Sequence, residues 1–218
     1  MTLPTAQEWD QAFYRTLPVV STSIGVLSAV MGIMALRSSA LAQRVAYEDG
    51  QYLVSVRYPG QWRDIREFIT PYAPEVQQIY QEVGPDAWAL YDWVTRNISY
   101  RLDFGEFFQF PRETIAREQG DCEDTSNLLA SLLRNFTDTY VALGTLNGLG
   151  HAWVTHGGDI LETTYTSARP VPDPENYVPF VLFNDLEVIE LWPGAMSDTF
   201  STKRDEATKL SLMAKAIG

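Results

Sequence analysis

The chain has 218 residues, a formal net charge of −12, one cysteine and two histidines. That length fits one domain, or one domain with an appendage, and 45 % hydrophobic with 12 % aromatic residues is enough to fill a core rather than stay disordered. The acidity argues against nucleic acid, whose phosphates need basic patches. A lone cysteine excludes an internal disulfide framework and a multi-cysteine zinc site, and two histidines are too few for a histidine-rich metal cage, so no cofactor is expected.

Thr5-Ala6-Gln7-Glu8 is a capping-box pattern, which predicts a short helix to about Thr16, ahead of Pro18. No charged residue lies between Arg15 and Arg37, and the 18 residues Val19 to Leu36 are apolar apart from small Ser, Thr and Gly. That meets the lower length for a membrane span. Ser21, Gly25, Ser28, Gly32, Ala35, Ser39 and Ala42 recur at alternating steps of four and three, one continuous small-residue stripe on a helix from about residue 19 to 47. Such stripes let helix backbones approach closely. The segment is therefore read as a membrane span or an assembly helix, pairing with its own copy or inside a larger particle. A leader peptide is a rival, because Ala40-Leu41-Ala42 before Gln43 resembles a cleavage site; the stretch is long for one and carries Glu8, Asp10 and Arg37. Arg37, Arg44 and Arg57 follow the apolar run and only Arg15 precedes it, which puts the rest of the chain on the cytoplasmic side of any membrane it crosses. The chain divides on this reading into a helical segment, 1–48, and a second domain, 49–218.

Asp49-Gly50 reads as a turn and Tyr52 to Val56 as a strand, closed by Pro59-Gly60. Short helical pieces broken by Pro71 and Pro74 follow. Pro85 opens a helix whose apolar face carries Trp88, Leu90, Tyr91, Val94 and Ile98. Ser99 to Leu102 is extended, Phe104 to Phe110 is an aromatic loop, and Pro111 starts a short helix that Gly120 ends.

The cysteine lies in Gln119-Gly120-Asp121-Cys122-Glu123-Asp124-Thr125. Asp121 can cap a new helix with Asp124 as capping-box partner, and Glu123 reads as a second carboxylate at the helix start. Leu128, Leu129, Leu132 and Leu133 then recur at helical spacing. Cys122 falls on the first turn of a buried helix, where unsatisfied N–H groups and the macrodipole favour thiolate. The ordinary reading of a free cysteine is a small buried hydrophobe.

Beyond Asn135 the pattern turns to strands: Tyr140 to Gly144, His151 to Thr155, a tight turn at Gly157-Gly158-Asp159, Ile160 to Tyr165, then Phe180 to Phe183 and Leu186 to Leu191 after a loop marked by Pro170, Pro172 and Pro174. Thr202 to Ala216 reads as a terminal helix. Helices first and strands second predict an α+β fold with a largely antiparallel sheet. A two-residue turn at Gly157-Gly158 sets His156 opposite Asp159 and Trp153 opposite Glu162. Residues two apart share a strand face, so His151, Trp153, Glu162 and Thr164 point the same way, with Glu162 diagonally within reach of His151. His156 falls on the other face, exposed at the turn. If the Cys122 helix packs by its N-terminus on the His151 face, nucleophile, base and orienting acid line up as acyl transfer requires.

Gly120-Asp121-Cys122-Glu123-Asp124, the leucine pairs that follow, His151-Ala152-Trp153, and upstream Trp93-Val94, Ile98-Ser99-Tyr100 and Pro111-Arg112-Glu113-Thr114 together resemble the core of the transglutaminase-like superfamily, over about residues 85–167. The resemblance implies a papain-like core with a Cys-His-Asp triad, in which Cys122 matches the nucleophile and His151 the base. Where the family has Asp followed by Pro, this chain reads Leu161-Glu162-Thr163-Thr164, so a glutamate one methylene longer stands in the acid's place. It implies a cysteine hydrolase acting on peptide or other amide bonds of a peptide or protein substrate, or a cross-linking acyltransferase. The Cys122 backbone N–H, with Gln119 second, is the candidate oxyanion donor. A reading from another class is a structural or assembly component, membrane-anchored or part of a large particle such as a virion.

Overall fold

The computed structural model describes residues 45–200, apart from 59 and 103–106. The small-residue stripe from Ser21 to Ala42, the apolar run Val19 to Leu36 and the helix expected over 202–216 lie outside the described residues. Among the described residues no helix is long and apolar enough to cross a membrane.

β1 (Val45–Glu48) and β2 (Gln51–Val54) form a hairpin, and β3 (Arg63–Asp64) adds to β2. Asp49 and Gly50 both take positive φ, 49° and 78°, the turn that matches strand twist in a two-residue hairpin. Val45–Glu48 is thus a strand paired to β2, where the sequence reading continues a helix to residue 47 and ends the first segment at 48. The turn at Asp49-Gly50 is strong enough to draw the preceding residues into the hairpin.

Asp64 caps a 3-10 turn, Ile65–Phe68, and Pro74 occupies the first position of α1 (Pro74–Val83). α2 (Ala87–Asn97) begins two residues after Pro85, because Asp86 is the cap: its carboxylate accepts the N–H groups of Trp88 and Ala89, each at 2.9 Å. β4 (Ser99–Tyr100) pairs in parallel with β5 (Gln119–Gly120). Between them α3 (Pro111–Arg117) ends at Glu118, which takes the left-handed conformation. Gly120 therefore belongs to a short strand rather than closing α3.

α4 (Cys122–Leu133) is buried along its whole length. Behind it lies one five-stranded sheet of β6 (Tyr140–Leu146), β7 (Leu149–His156), β8 (Asp159–Leu161), β9 (Tyr177–Phe183) and β10 (Val188–Glu190), in the order β10-β9-β6-β7-β8 and antiparallel at every pair. The period of two sorts its residues. Val141, Leu143, Ala152, Val154, Leu161 and Val181 share one buried cluster with the α4 leucines. Ala142, Trp153 and Tyr177 form another, joined by Leu146, Ile160 and Leu182. The body of α4 thus covers the face of Ala152 and Val154. The sequence leaves open which face the helix body covers and bears only on whether its N-terminus meets the His151 face, because alternation alone does not say where the helix layer lies.

Candidate active site

Cys122 is the first residue of α4 and 7 % exposed. The turn it stands on is fixed by Asp124, whose carboxylate accepts the N–H of Gln109 at 2.7 Å, the Gln109 side-chain amide, and the N–H of Asp121 at 3.3 Å. Asp124 reaches back past Gly120, where a Cβ would stand 2.6 Å from the Asp124 Cβ. Only glycine lets β5 pass so close to the first turn of α4. Glu123 does not share the capping role the sequence suggested: the Cys122 thiol donates to its Oε2 at 3.0 Å. A carboxylate there favours thiol over thiolate.

Three side chains tie this turn to the sheet. Thr125 Oγ1 lies 2.8 Å, and Ser126 Oγ 3.2 Å, from Thr163 Oγ1. Thr163 is the residue after Glu162, so the helix end that carries the sulfur is bonded to the segment that carries the acid.

The hairpin register is the expected one, with His156 opposite Asp159. β8 stops at Leu161, and Glu162 follows at the strand's end. Its Oε2 lies 2.7 Å from His151 Nε2. The same oxygen accepts the Tyr177 hydroxyl at 2.9 Å. Oε1 accepts the Thr164 N–H at 3.0 Å and hydroxyl at 2.6 Å. Tyr91, from α2, donates to the Glu162 carbonyl at 2.9 Å. Burial alone would raise the Glu162 pKa; the hydrogen bond and charge of His151, with the Thr164 donors, outweigh it and hold the carboxyl below its ordinary value. Burial, then the neighbouring Glu162 charge, pushes the Tyr177 hydroxyl well above its ordinary value, and burial raises Tyr91 to about 12, so both stay donors.

His151 sits opposite Gly144 of β6. Just there the β6–β9 register shifts, and a Cβ on Gly144 would stand 2.1 Å from the Val178 carbonyl oxygen. The glycine admits the start of β9, which brings the Tyr177 ring within 6.2 Å of the imidazole, centre to centre; Trp153, two residues along β7, stands at the same distance. A cleft of about 180 Å³ opens beside this group, lined in part by Glu162, Thr164, Tyr165, Asp173 and Tyr177.

Of the residues singled out from sequence, His151, Glu162 and Thr164 are joined by hydrogen bonds, and Cys122 is tied to them through Thr125 and Thr163. Gln119 is turned elsewhere: its side-chain oxygen accepts from Arg101 at 3.0 Å. His156 is half-buried rather than exposed, its Nδ1 3.2 Å from the Asp138 carbonyl. Tyr177, Tyr91 and Gln109 were not anticipated. Tyr177 follows a proline-marked loop, and no local pattern links it to residue 162.

No protein-family model matches the chain. Over 68 residues it is 40 % identical to the centrosomal protein of 76 kDa of Pongo abelii and 43 % identical to that of Xenopus tropicalis, a match covering 28 % of this chain and 10 % of each relative. The chain thus spans about a tenth of the length of the curated relatives it matches. Among solved structures, calcium-bound Legionella pneumophila LapG overlaps with a TM-score of 0.39 and 16 % identity, over 56 % of this chain and 88 % of that one. The EGTA-treated form gives 0.41 and 14 %, over 58 % and 88 %. A protein of Cytophaga hutchinsonii, provisionally described as a cysteine protease, gives 0.37 and 19 %, over 63 % and 60 %. Scores this low assign nothing by themselves.

Proposed function

We propose that the chain is a cysteine-dependent acyl-transfer enzyme of the transglutaminase-like kind, hydrolysing peptide or other amide bonds with Cys122 as nucleophile, His151 as base and Glu162 as the acid that orients it. The observation that carries this reading is the 2.7 Å bond between His151 Nε2 and the buried Glu162 carboxylate.

With Nε2 engaged by Glu162, Nδ1 is the imidazole nitrogen left to take the sulfur's proton. The proton moves from Sγ to His151, and the sulfur attacks the amide carbon. The backbone N–H of Cys122, in the first turn of α4, is the candidate donor to the oxyanion that forms. The imidazolium then protonates the leaving nitrogen as the C–N bond breaks, leaving a thioester. A water deprotonated by the same nitrogen cleaves the thioester and restores the thiol; an amine in the water's place yields a cross-link instead. In the resting geometry the thiol donates to Glu123, so that bond breaks before the proton passes to His151.

The test incubates the protein with glutamine-containing peptides and a labelled primary amine. Released ammonia or cleaved peptide without label supports hydrolysis, and incorporated label supports transfer. Cys122→Ala abolishes either while leaving the circular dichroism spectrum unchanged. Turnover equal in wild type and Cys122→Ala contradicts the reading.

A further inference from the structure

Glu162 is held by more than its histidine. Its four donors divide evenly: Thr164 supplies two to Oε1, and His151 and Tyr177 share Oε2. Tyr177 alone arrives from a different part of the sheet, at the first position of β9, and it is 9 % exposed. Its ring packs edge-on to Trp153, with centroids 5.2 Å apart, and lies against the imidazole. Gly144 keeps the approach open, since any side chain there would strike the backbone of Val178 and Pro179, the residues next to Tyr177.

We infer that Tyr177 is a positioning residue of this site: its hydroxyl fixes the Glu162 carboxylate in the orientation that receives His151 Nε2–H, and through it the imidazole tautomer that leaves Nδ1 as the base. A glutamate has one more rotatable bond than an aspartate. Thr164 pins one oxygen, and with that oxygen alone held the second sweeps an arc; the Tyr177 hydroxyl closes that freedom. Its ring packs against Trp153 and the imidazole, beside the Nε2–Oε2 bond. Tyr177 touches no reacting atom and acts only through Glu162.

This inference rests on the proposed roles of Cys122, His151 and Glu162, and its test has one arm that needs no turnover. Tyr177→Phe keeps the ring and its packing and removes only the hydroxyl. The expected result is a kcat on an amide substrate lower by about tenfold, the worth of one hydrogen bond to a charged group, with KM unchanged within about twofold and Tm within about 2 °C of wild type. In the substrate-free protein the downfield proton resonance of His151 Nε2–H shifts or broadens into exchange with water. Leu182→Ala, in the same cluster, is the packing control: it lowers Tm while kcat and the resonance stay in place. An unchanged resonance in Tyr177→Phe overturns the inference, as does a kcat within about twofold of wild type. So does a kcat loss that follows Tm in both variants. If the wild type shows no Cys122-dependent turnover, the catalytic reading fails, and the resonance alone decides whether Tyr177 orders the His151–Glu162 pair.

Discussion

Glu162 and Asp124 are both 1 % exposed, yet their carboxyls move in opposite directions. Burial raises the pKa of each. At Glu162 the imidazole and Thr164 reverse the effect, and the group lies below 4.5. At Asp124 burial, then the like charge of Glu123, prevails over neutral donors from Gln109 and Asp121, and the pKa rises to about 7. At Glu162 the His151 and Thr164 donors outweigh burial; at Asp124 the donors do not, because Glu123 adds a like charge to the burial. The difference also suits the proposed chemistry. Negative charge is kept beside the base, where an imidazolium must form. It is reduced at Asp124, two residues past the sulfur, while Glu123 stays the acceptor of the thiol.

The pH dependence of stability separates the two. Glu162 has a folded pKa below its unfolded one, so its contribution is full above about 4.5 and is lost as pH falls through the folded value. Asp124 has a folded pKa above its unfolded one, so its contribution is full below about 3.8 and is lost as pH rises toward about 7.

The largest expected effect comes from removing the favoured charge. Glu162→Gln lowers kcat/KM on an amide substrate by about a hundredfold or more, since the imidazolium loses its counter-charge and the base its fixed tautomer. A loss within about threefold, by steady-state kinetics, would mean that the pair is structural. Asp124→Asn acts on the other carboxyl. Stability from urea unfolding then loses its downward slope between about pH 4 and 7, while kcat/KM changes by no more than a few fold. A slope identical to wild type shows that Asp124 is ionised when folded. The smallest effect sharpens the contrast: Glu123→Gln removes both the like charge beside Asp124 and the acceptor of the Cys122 thiol, and speeds alkylation of Cys122 at pH 7 by a few fold. A slower rate would assign Glu123 an activating role.

The helix that presents Cys122 is legible because its signals are local: the capping aspartates and the leucines at helical spacing. So is the His151–Glu162 pair, because the two-glycine turn fixes the register of β7 and β8 and hence the diagonal. What the sequence hides are choices made between elements. Alternation along β7 separates Ala152 and Val154 from Trp153 but is silent on which face α4 covers. Glu123 and Asp124 are adjacent acids with the same local signature. Only the approach of Gln109 from the loop before α3 makes one the cap and leaves the other to the sulfur. Tyr177 reaches Glu162 through the bulge at Gly144, a backbone event with no side chain to announce it.

The central claim, that Cys122 is activated by the His151–Glu162 pair, is tested most directly by its alkylation rate with iodoacetamide from pH 4 to 10, in wild type and His151→Ala. The account predicts a wild-type rate already substantial below pH 7, and a His151→Ala profile pushed up to that of an ordinary thiol, half-maximal near about 8.5. Superimposable profiles, both those of an unassisted thiol, would contradict it.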